Sequence, residues 1–180
     1  MNYLIHIWKK KRFKNYILTK PIQESGEKLG ALPGSVEDKI NPYFESFQLT
    51  LLKFIDKLTL EKLIREDILQ FRPLAYMRGA NFDNSLLILD EAQNSDIRQL
   101  MLFVTRMGEN SKVIISGDVH QSDIAKYHVA LPFFSNMVKD IPGISSFAFT
   151  NEDIRRNQIL IEITKRYEQL KMDDKLPKNK

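Results

Sequence analysis

The 180-residue sequence contains no cysteine. That excludes disulfide staples and thiolate metal sites, and it fits a reducing compartment such as the cytoplasm. No apolar run approaches the roughly 20 residues that cross a bilayer as a helix, so no membrane association is expected. A secretory leader is not expected either. In MNYLIHIWKKKRFK the charges follow the apolar stretch at 4–8, whereas a leader places its charge first. There is no internal repeat and no low-complexity tract. The three histidines, His6, His120 and His128, lack metal-ligand spacing.

What is present is ordinary for a folded soluble chain: 43% apolar and 28% charged residues, enough for one domain with a real core. We expect a single domain over residues 1–170, with a charged, frayed tail at 171–180. The net charge of +4 and pI near 9.2 come largely from Lys9, Lys10, Lys11, Arg12 and Lys14, with Lys175, Lys178 and Lys180 in the tail. Such a cluster either attracts nucleic acid or is a solvated helix end. Tyr3 and Trp8 read as core anchors rather than base-stacking platforms.

The pattern alternates between strand and helix. NYILT (15–19) reads as a buried strand that stops at Pro21, and the glycine-rich ESGEKLGALPGS (24–35) as a loop. Helical spacing runs over 36–64, with breaks expected at Pro42 and around Leu58 and Thr59. DILQF and PLAYM look like short extended pieces leading to a turn at Arg78 and Gly79. A strand follows at 86–89. Ser95 and Asp96 then signal a helix carrying Ile97, Leu100, Met101, Val104 and Met107, closed by Gly108. KVIIS (112–116) is a second apolar strand. A helix is expected near 129–138, a strand at SSFAFT (145–150), and a long helix from Asn151 to about Leu170. Strands that are apolar throughout, separated by helices, predict a parallel α/β sheet covered on both faces. Ligands of such sheets bind at the carboxyl ends of the strands, where Asp90, Glu91, Asp118 and Thr150 fall.

LLILDEAQN (86–94) concentrates the question, because an oily strand ends in two adjacent carboxylates. One reading is a strand that exits into solvent. The other is a metal–nucleotide site. Mg²⁺ takes a few hard oxygens, which suits Asp90, and a neighbouring Glu can orient a water toward a γ-phosphate. ISGDVHQSD places Gly117, Asp118, Gln121 and Asp123 at the next strand tip. Either these are γ-phosphate-sensing side chains, or Gly and Asp serve a turn through their backbone preferences.

Taken together, DEAQN, TRMGENSKVIISGDVHQSD, PLAYMRG and ESGEKLGALPG resemble the PhoH family of cytoplasmic ATPases, relatives of superfamily 1 helicases, from about residue 16 to residue 167. The resemblance implies a RecA-like P-loop NTPase sheet with flanking helices, ATP with Mg²⁺ as ligands, and action on RNA. It implies Asp90 for metal binding, Glu91 for catalysis, Gln121 for γ-phosphate sensing and Arg156 for a phosphate contact, with Arg155 its immediate competitor. Asp118 and Arg78 lie in matching segments as nucleotide-binding candidates, although an ion pair would equally explain Arg78. Arg106 fits a helix-end cation.

One family element is missing from the sequence. The phosphate loop G-x-x-x-x-G-K-[ST] is absent, and none of the seven glycines precedes a lysine. The chain therefore resembles a truncated family core lacking the first strand and its loop, with LIHIWKKKRFK as the tail of the helix next in order. That loop's N–H groups and lysine cradle the phosphates, so hydrolysis by the chain alone is not expected. The alternatives are a non-catalytic RNA-binding or assembly remnant and a non-functional gene fragment. A sheet gap is expected between KVIIS and SSFAFT. It would be filled by residues 3–8, by the two strands closing together, or by a complementing chain or second copy.

Overall fold

The apolar runs at 15–19, 69–71, 85–89 and 112–115 pair into one sheet. In the computed structural model, which describes residues 1–21, 36–118, 130–149, 153 and 158–172 (residues 36–42 and a few positions of the last helix by backbone alone), they form β1 (Asn15–Thr19), β2 (Leu69–Phe71), β3 (Ser85–Leu89) and β4 (Lys112–Ile115). Their order is β2-β1-β3-β4. Every pairing is parallel, with Tyr16 opposite Leu69, Ile17 opposite Leu87 and Leu87 opposite Val113.

Successive side chains of a strand point to opposite faces, so a sheet covered on both sides needs apolar residues at every position. β1 and β3 meet that demand, and Ile17, Leu18, Leu86, Leu87 and Leu89 are wholly buried. On one face Tyr16, Leu18 and Leu86 pack with Leu4, Ile5 and Ile7 of α1 (Asn2–Lys9), Phe44, Phe47 and Leu51 of α2 (Val36–Leu51), and Leu60 and Leu63 of α3 (Lys57–Arg65). On the other, Ile17, Leu87 and Leu89 meet Leu74 and Met77, Leu100 and Phe103 of α4 (Ile97–Val104), and Phe134 and Val138 of α5 (Leu131–Val138). Each fully buried Leu or Phe contributes about 1.5–3 kcal/mol, so the two faces together make the central strands the stable part of the molecule. The buried Tyr16 hydroxyl donates to the Ile7 carbonyl at 3.3 Å, tying α1 to the sheet.

Local signals place α4 as its sequence foretells. Asp96 accepts from the Gln99 N–H at 2.8 Å, and Gln99 accepts from the Asp96 N–H at 2.9 Å, a reciprocal capping box. The helix ends at Val104, earlier than the apolar spacing suggests, and Met107 instead bridges Phe82.

Several expectations need correction. The backbone of α2 runs through Pro42, and the break falls after Leu51; Thr59 is not a break but a first-turn position of α3, donating its N–H to Asp56 at 2.9 Å. PLAYM is a 3-10 turn over Leu74–Met77 rather than an extended piece, because Leu74 and Met77 both point into the core at a three-residue spacing. Residues 3–8 are helical and fill no strand position. Trp8 is half-buried against the core, as an anchor should be, whereas Tyr3 is exposed and accepts a hydrogen bond from Lys112 Nζ at 3.0 Å.

The chain divides into two compact units, residues 1–140 and 141–180. In the second, residues 145–149 adopt no strand, contrary to expectation. Apolar β-formers make a strand only where another strand runs beside them, and the sheet of the described residues contains only β1 to β4. Phe147 and Phe149 are accordingly 84% and 81% exposed, packed edge to face on one another at 5.2 Å. α6 (Gln158–Met172) exposes Ile159, Ile163 and Tyr167. ESGEKLGALPGS and the tail beyond Met172 lie outside the described residues.

Candidate functional site

Because all strands of the sheet run in parallel, their carboxyl ends share one edge. From β1 the chain passes to β2 on one side, while β3 and β4 lie on the other. Open α/β sheets bind ligands where connections diverge in this way. The Asp90 N–H donates to the Thr19 carbonyl at 2.9 Å, which fixes the start of the β3 tip against the end of β1.

Asp90 is half-buried, and its Oδ1 accepts from the Ser116 hydroxyl at 2.7 Å. Ser116 directly follows β4, and its carbonyl receives the Ala92 N–H at 2.9 Å, so the tips of β3 and β4 are stitched together. Glu91 is exposed and left-handed, at φ 55 and ψ 35. For a residue with a Cβ this conformation costs on the order of 1–3 kcal/mol, and such outliers concentrate at functional positions.

Gln93 joins the two acidic tips. It is 1% exposed. Its Nε2 donates to Glu91 Oε2 at 2.6 Å, and its Oε1 accepts from the Asp118 N–H at 3.0 Å. Both ends of the amide are thereby assigned by their partners. The closeness of the tips also explains Gly117. A Cβ there would lie 2.7 Å from Gln93 Oε1, 2.8 Å from Leu131 Cδ2 and 2.9 Å from the Gln93 backbone nitrogen. Gly117 serves close approach, not the turn preference its sequence context suggests.

The fold thus brings Asp90, Glu91 and Asp118 to one hydrogen-bonded frame. Arg78 is exposed at the end of the 3-10 turn and makes no hydrogen bond or ion pair among the described residues. Arg106 donates through Nη1 to the Ala80 carbonyl at 2.9 Å, clamping the end of α4 to the segment before β3. Gln121 and Arg156, with Arg155, Asp123, His120, His128 and Thr150, lie outside the described residues. Gln93, Ser116 and Gly117 as framing residues escape a reading by motif. Their roles depend on two strand tips meeting, and only the small size of Ser116-Gly117 hints at it.

Among the described residues no three His, Asp or Glu side chains converge as an all-protein metal cage. Mg²⁺ does not require one, since it is held by one or two carboxylates together with phosphate and water oxygens. The half-buried Asp90 carboxylate beside the Ser116 hydroxyl offers hard oxygens of that kind. Thr19 Oγ1 and Ser95 Oγ, near the same edge, are buried with no hydrogen-bond partner among the described residues. No helix among the described residues is long and apolar enough to cross a membrane.

Comparison with known proteins agrees with this architecture. A family model described as PhoH-like protein matches residues 1–168. A PhoH-like protein of Bacillus subtilis is 38% identical over 165 residues, covering 91% of this chain and 52% of the relative. A PhoH-like protein of Synechocystis is 36% identical over 153 residues, covering 84% of this chain and 47% of the relative. Protein PhoH of Escherichia coli K12 is 39% identical over 112 residues, or 61% of this chain and 32% of that protein. The chain therefore spans about half the length of the first two of these relatives or less. With a parallel α/β sheet of the RecA-like kind and a family match over nearly its whole length, the chain belongs to the PhoH-like protein family.

Proposed function

We propose that the protein is a PhoH-like nucleotide-binding protein of the cytoplasm that binds ATP with Mg²⁺ at the carboxyl ends of β3 and β4. The observation that carries this reading is the Asp90–Ser116 and Glu91–Gln93–Asp118 frame, with Glu91 in a strained backbone conformation. Asp90 holds the metal through its carboxylate, positioned by Ser116. Glu91, oriented through Oε2 by Gln93, uses its other oxygen to align a water. Gln121 and Arg156 are proposed to meet the γ-phosphate, as the family resemblance implies. Bound Mg²⁺ supplies charge neutralisation between the β- and γ-phosphates.

Residues 1–180 contain no G-x-x-x-x-G-K-[ST] loop, so we expect them to lack turnover of their own. Phosphoryl transfer rests on positioning and charge stabilisation, and three carboxylates without a cationic cradle repel a polyanion. Purified chain is to be assayed for ATP hydrolysis with Mg²⁺, beside Glu91→Gln. Rates at background for both are expected. Robust turnover abolished by Glu91→Gln would overturn the inactivity while supporting the site, and robust turnover that survives Glu91→Gln would overturn the site assignment.

A second reading has its own observation. Lys9, Lys10, Lys11, Arg12 and Lys14 are all exposed, at the amino ends of the strands, where the Lys14 N–H donates to the Asn84 carbonyl at 2.7 Å. This basic cluster lies at the edge opposite Asp90 and supports RNA binding or assembly independent of nucleotide. RNA affinity that falls with salt and drops when these residues become alanine, without change on adding ATP, favours it.

A further inference from the structure

We infer that Gln93 is a positioning residue that relays the state of the Glu91 carboxylate to the backbone of Asp118. A group that engages Glu91 at the tip of β3 thereby alters the hold on the chain leaving β4. That this group is a water or cation held by a nucleotide rests on the nucleotide-binding reading; the relay itself does not.

The relay is one rigid amide with two tasks. Gln93 Nε2 donates to Glu91 Oε2 at 2.6 Å, and Gln93 Oε1 accepts from the Asp118 N–H at 3.0 Å. Both atoms sit on the same planar carbon, so a turn about the last side-chain torsion moves them together. A turn that takes Nε2 off Glu91 also takes Oε1 off Asp118. The bond to the ionised carboxylate is the stronger of the two. Glu91 therefore sets the orientation of the amide, and the Asp118 N–H follows it.

The surroundings decide which parts can move. On one side the Ala92 N–H donates to the Ser116 carbonyl at 2.9 Å; on the other the Asn94 N–H donates to the Glu91 carbonyl at 3.0 Å and the Ser95 N–H to the Ala92 carbonyl at 3.1 Å. The Gln93 backbone is thus held, its side chain is buried, and the missing Cβ of Gly117 lets the amide lie against the β4 tip. Glu91 and Asp118 are both exposed. Ser116 is pinned to β3, its N–H donating to the Leu89 carbonyl at 2.8 Å. Freedom gained at Asp118 consequently begins at Gly117, whose backbone resists it least. Input and output face solvent while the connecting group is buried. A glutamine that merely filled space would need neither bond. In the nucleotide-binding reading the relay ties the carboxylate proposed to align water to the segment leading to Gln121, proposed to meet the γ-phosphate.

The test reads backbone amide exchange by NMR in the isotopically labelled 180-residue chain, without nucleotide. Glu91→Ala keeps a Cβ, and so the left-handed strain, while removing the carboxylate. The Asp118 amide is expected to exchange about tenfold faster in this variant, and the Ser116 amide, bonded to β3, at its parent rate. In a Gln93→Leu background the Asp118 amide is already fast and Glu91→Ala adds nothing, a coupling that independent effects do not produce. Gln93→Glu sets two carboxylates against each other and also speeds exchange. The combination Glu91→Gln with Gln93→Glu exchanges donor and acceptor, rebuilds both bonds and should bring Asp118 back to within about threefold of the parent rate. Gln93→Leu is expected to fold because its two former partners are exposed and turn to water; should it fail, the exchanged pair still decides. Unchanged Asp118 exchange in Glu91→Ala, equal acceleration with and without Gln93, or an exchanged pair as fast as Gln93→Glu overturns the relay and leaves the nucleotide reading standing. Acceleration of Ser116 to the same extent as Asp118 means that the whole tip opens, and it also overturns the relay. Coupling and rescue as expected, in a protein whose Mg²⁺-dependent nucleotide binding ignores Asp90→Asn, sustain the relay and sink the nucleotide reading.

Discussion

Replacing Gly117 by alanine places one methyl group where the tips of β3 and β4 meet. The new Cβ would stand 2.7 Å from Gln93 Oε1, 2.8 Å from Leu131 Cδ2 and 2.9 Å from the Gln93 nitrogen. Leu131 can rotate away, but the Gln93 backbone cannot do so cheaply, since it sits in a buried turn between Glu91 and Ser95. Overpacking of this kind costs about 1–3 kcal/mol. Displacing Gln93 also strains the Asp118 N–H bond to Oε1, at about 0.5–1.5 kcal/mol. A total of about 1.5–4.5 kcal/mol lowers Tm by roughly 3–18 °C for a chain of this size. Urea unfolding of Gly117→Ala, Gln93→Ala and the double variant measures it. Removing Oε1 relieves the tightest of the contacts, so the double variant should lose clearly less than the two single losses combined. Gly79→Ala is the control: its φ is +80 with nothing within 4 Å, so it carries backbone strain without a clash and no coupling to Gln93. Gly117→Ala within about 0.5 kcal/mol of the parent, or strict additivity with Gln93→Ala, would refute the close-approach account.

Three further outcomes are expected. Glu91→Gly should leave unfolding free energy within about 1 kcal/mol of the parent, because relief of the left-handed backbone offsets the lost side-chain contact, whereas β-branched Glu91→Val should fall well below both; equal urea midpoints for Gly and Val would contradict this. Asp56 is held below its ordinary value of 3.8 by the Thr59 hydroxyl and then the Thr59 N–H. A folded-state pKa below the unfolded one stabilises above 3.8 and loses that effect as pH falls through the folded value, so the Tm advantage of the parent over Asp56→Asn should shrink in acid, and an advantage that widens would be decisive against it. In the chain complemented with a phosphate loop, Asp90→Asn should weaken Mg²⁺-dependent nucleotide binding by about tenfold or more, and Glu91→Gln should retain binding and stop turnover; a titration in which both behave as the parent removes the strand tip from the site.

Much of the architecture was legible because the strands of a doubly covered sheet are apolar at every position. NYILT, LLIL and KVIIS announce themselves, as does the Asp96 capping box before α4. The tip carboxylates were legible for the same reason: Asp90 and Glu91 interrupt an apolar run where a parallel sheet presents ligands. SSFAFT has the same apolar character, yet residues 145–149 form no strand. Hydrophobicity marks which side chains seek cover. It does not name the neighbour that must accept the backbone bonds.

By itself, then, the sequence pointed to the chain's family through the resemblance of its motifs, and to its parallel α/β character and the acids at the tip of β3 because composition and periodicity act locally, over a few residues at a time. Only the tertiary structure decided that Gln93 bridges Glu91 to Asp118, that Ser116 steadies Asp90, and that Gly117 must lack a Cβ. Apart from the local Gln93–Glu91 bond, those contacts join residues more than twenty positions apart, and no local pattern encodes a contact that exists only once two strands lie about 5 Å from each other.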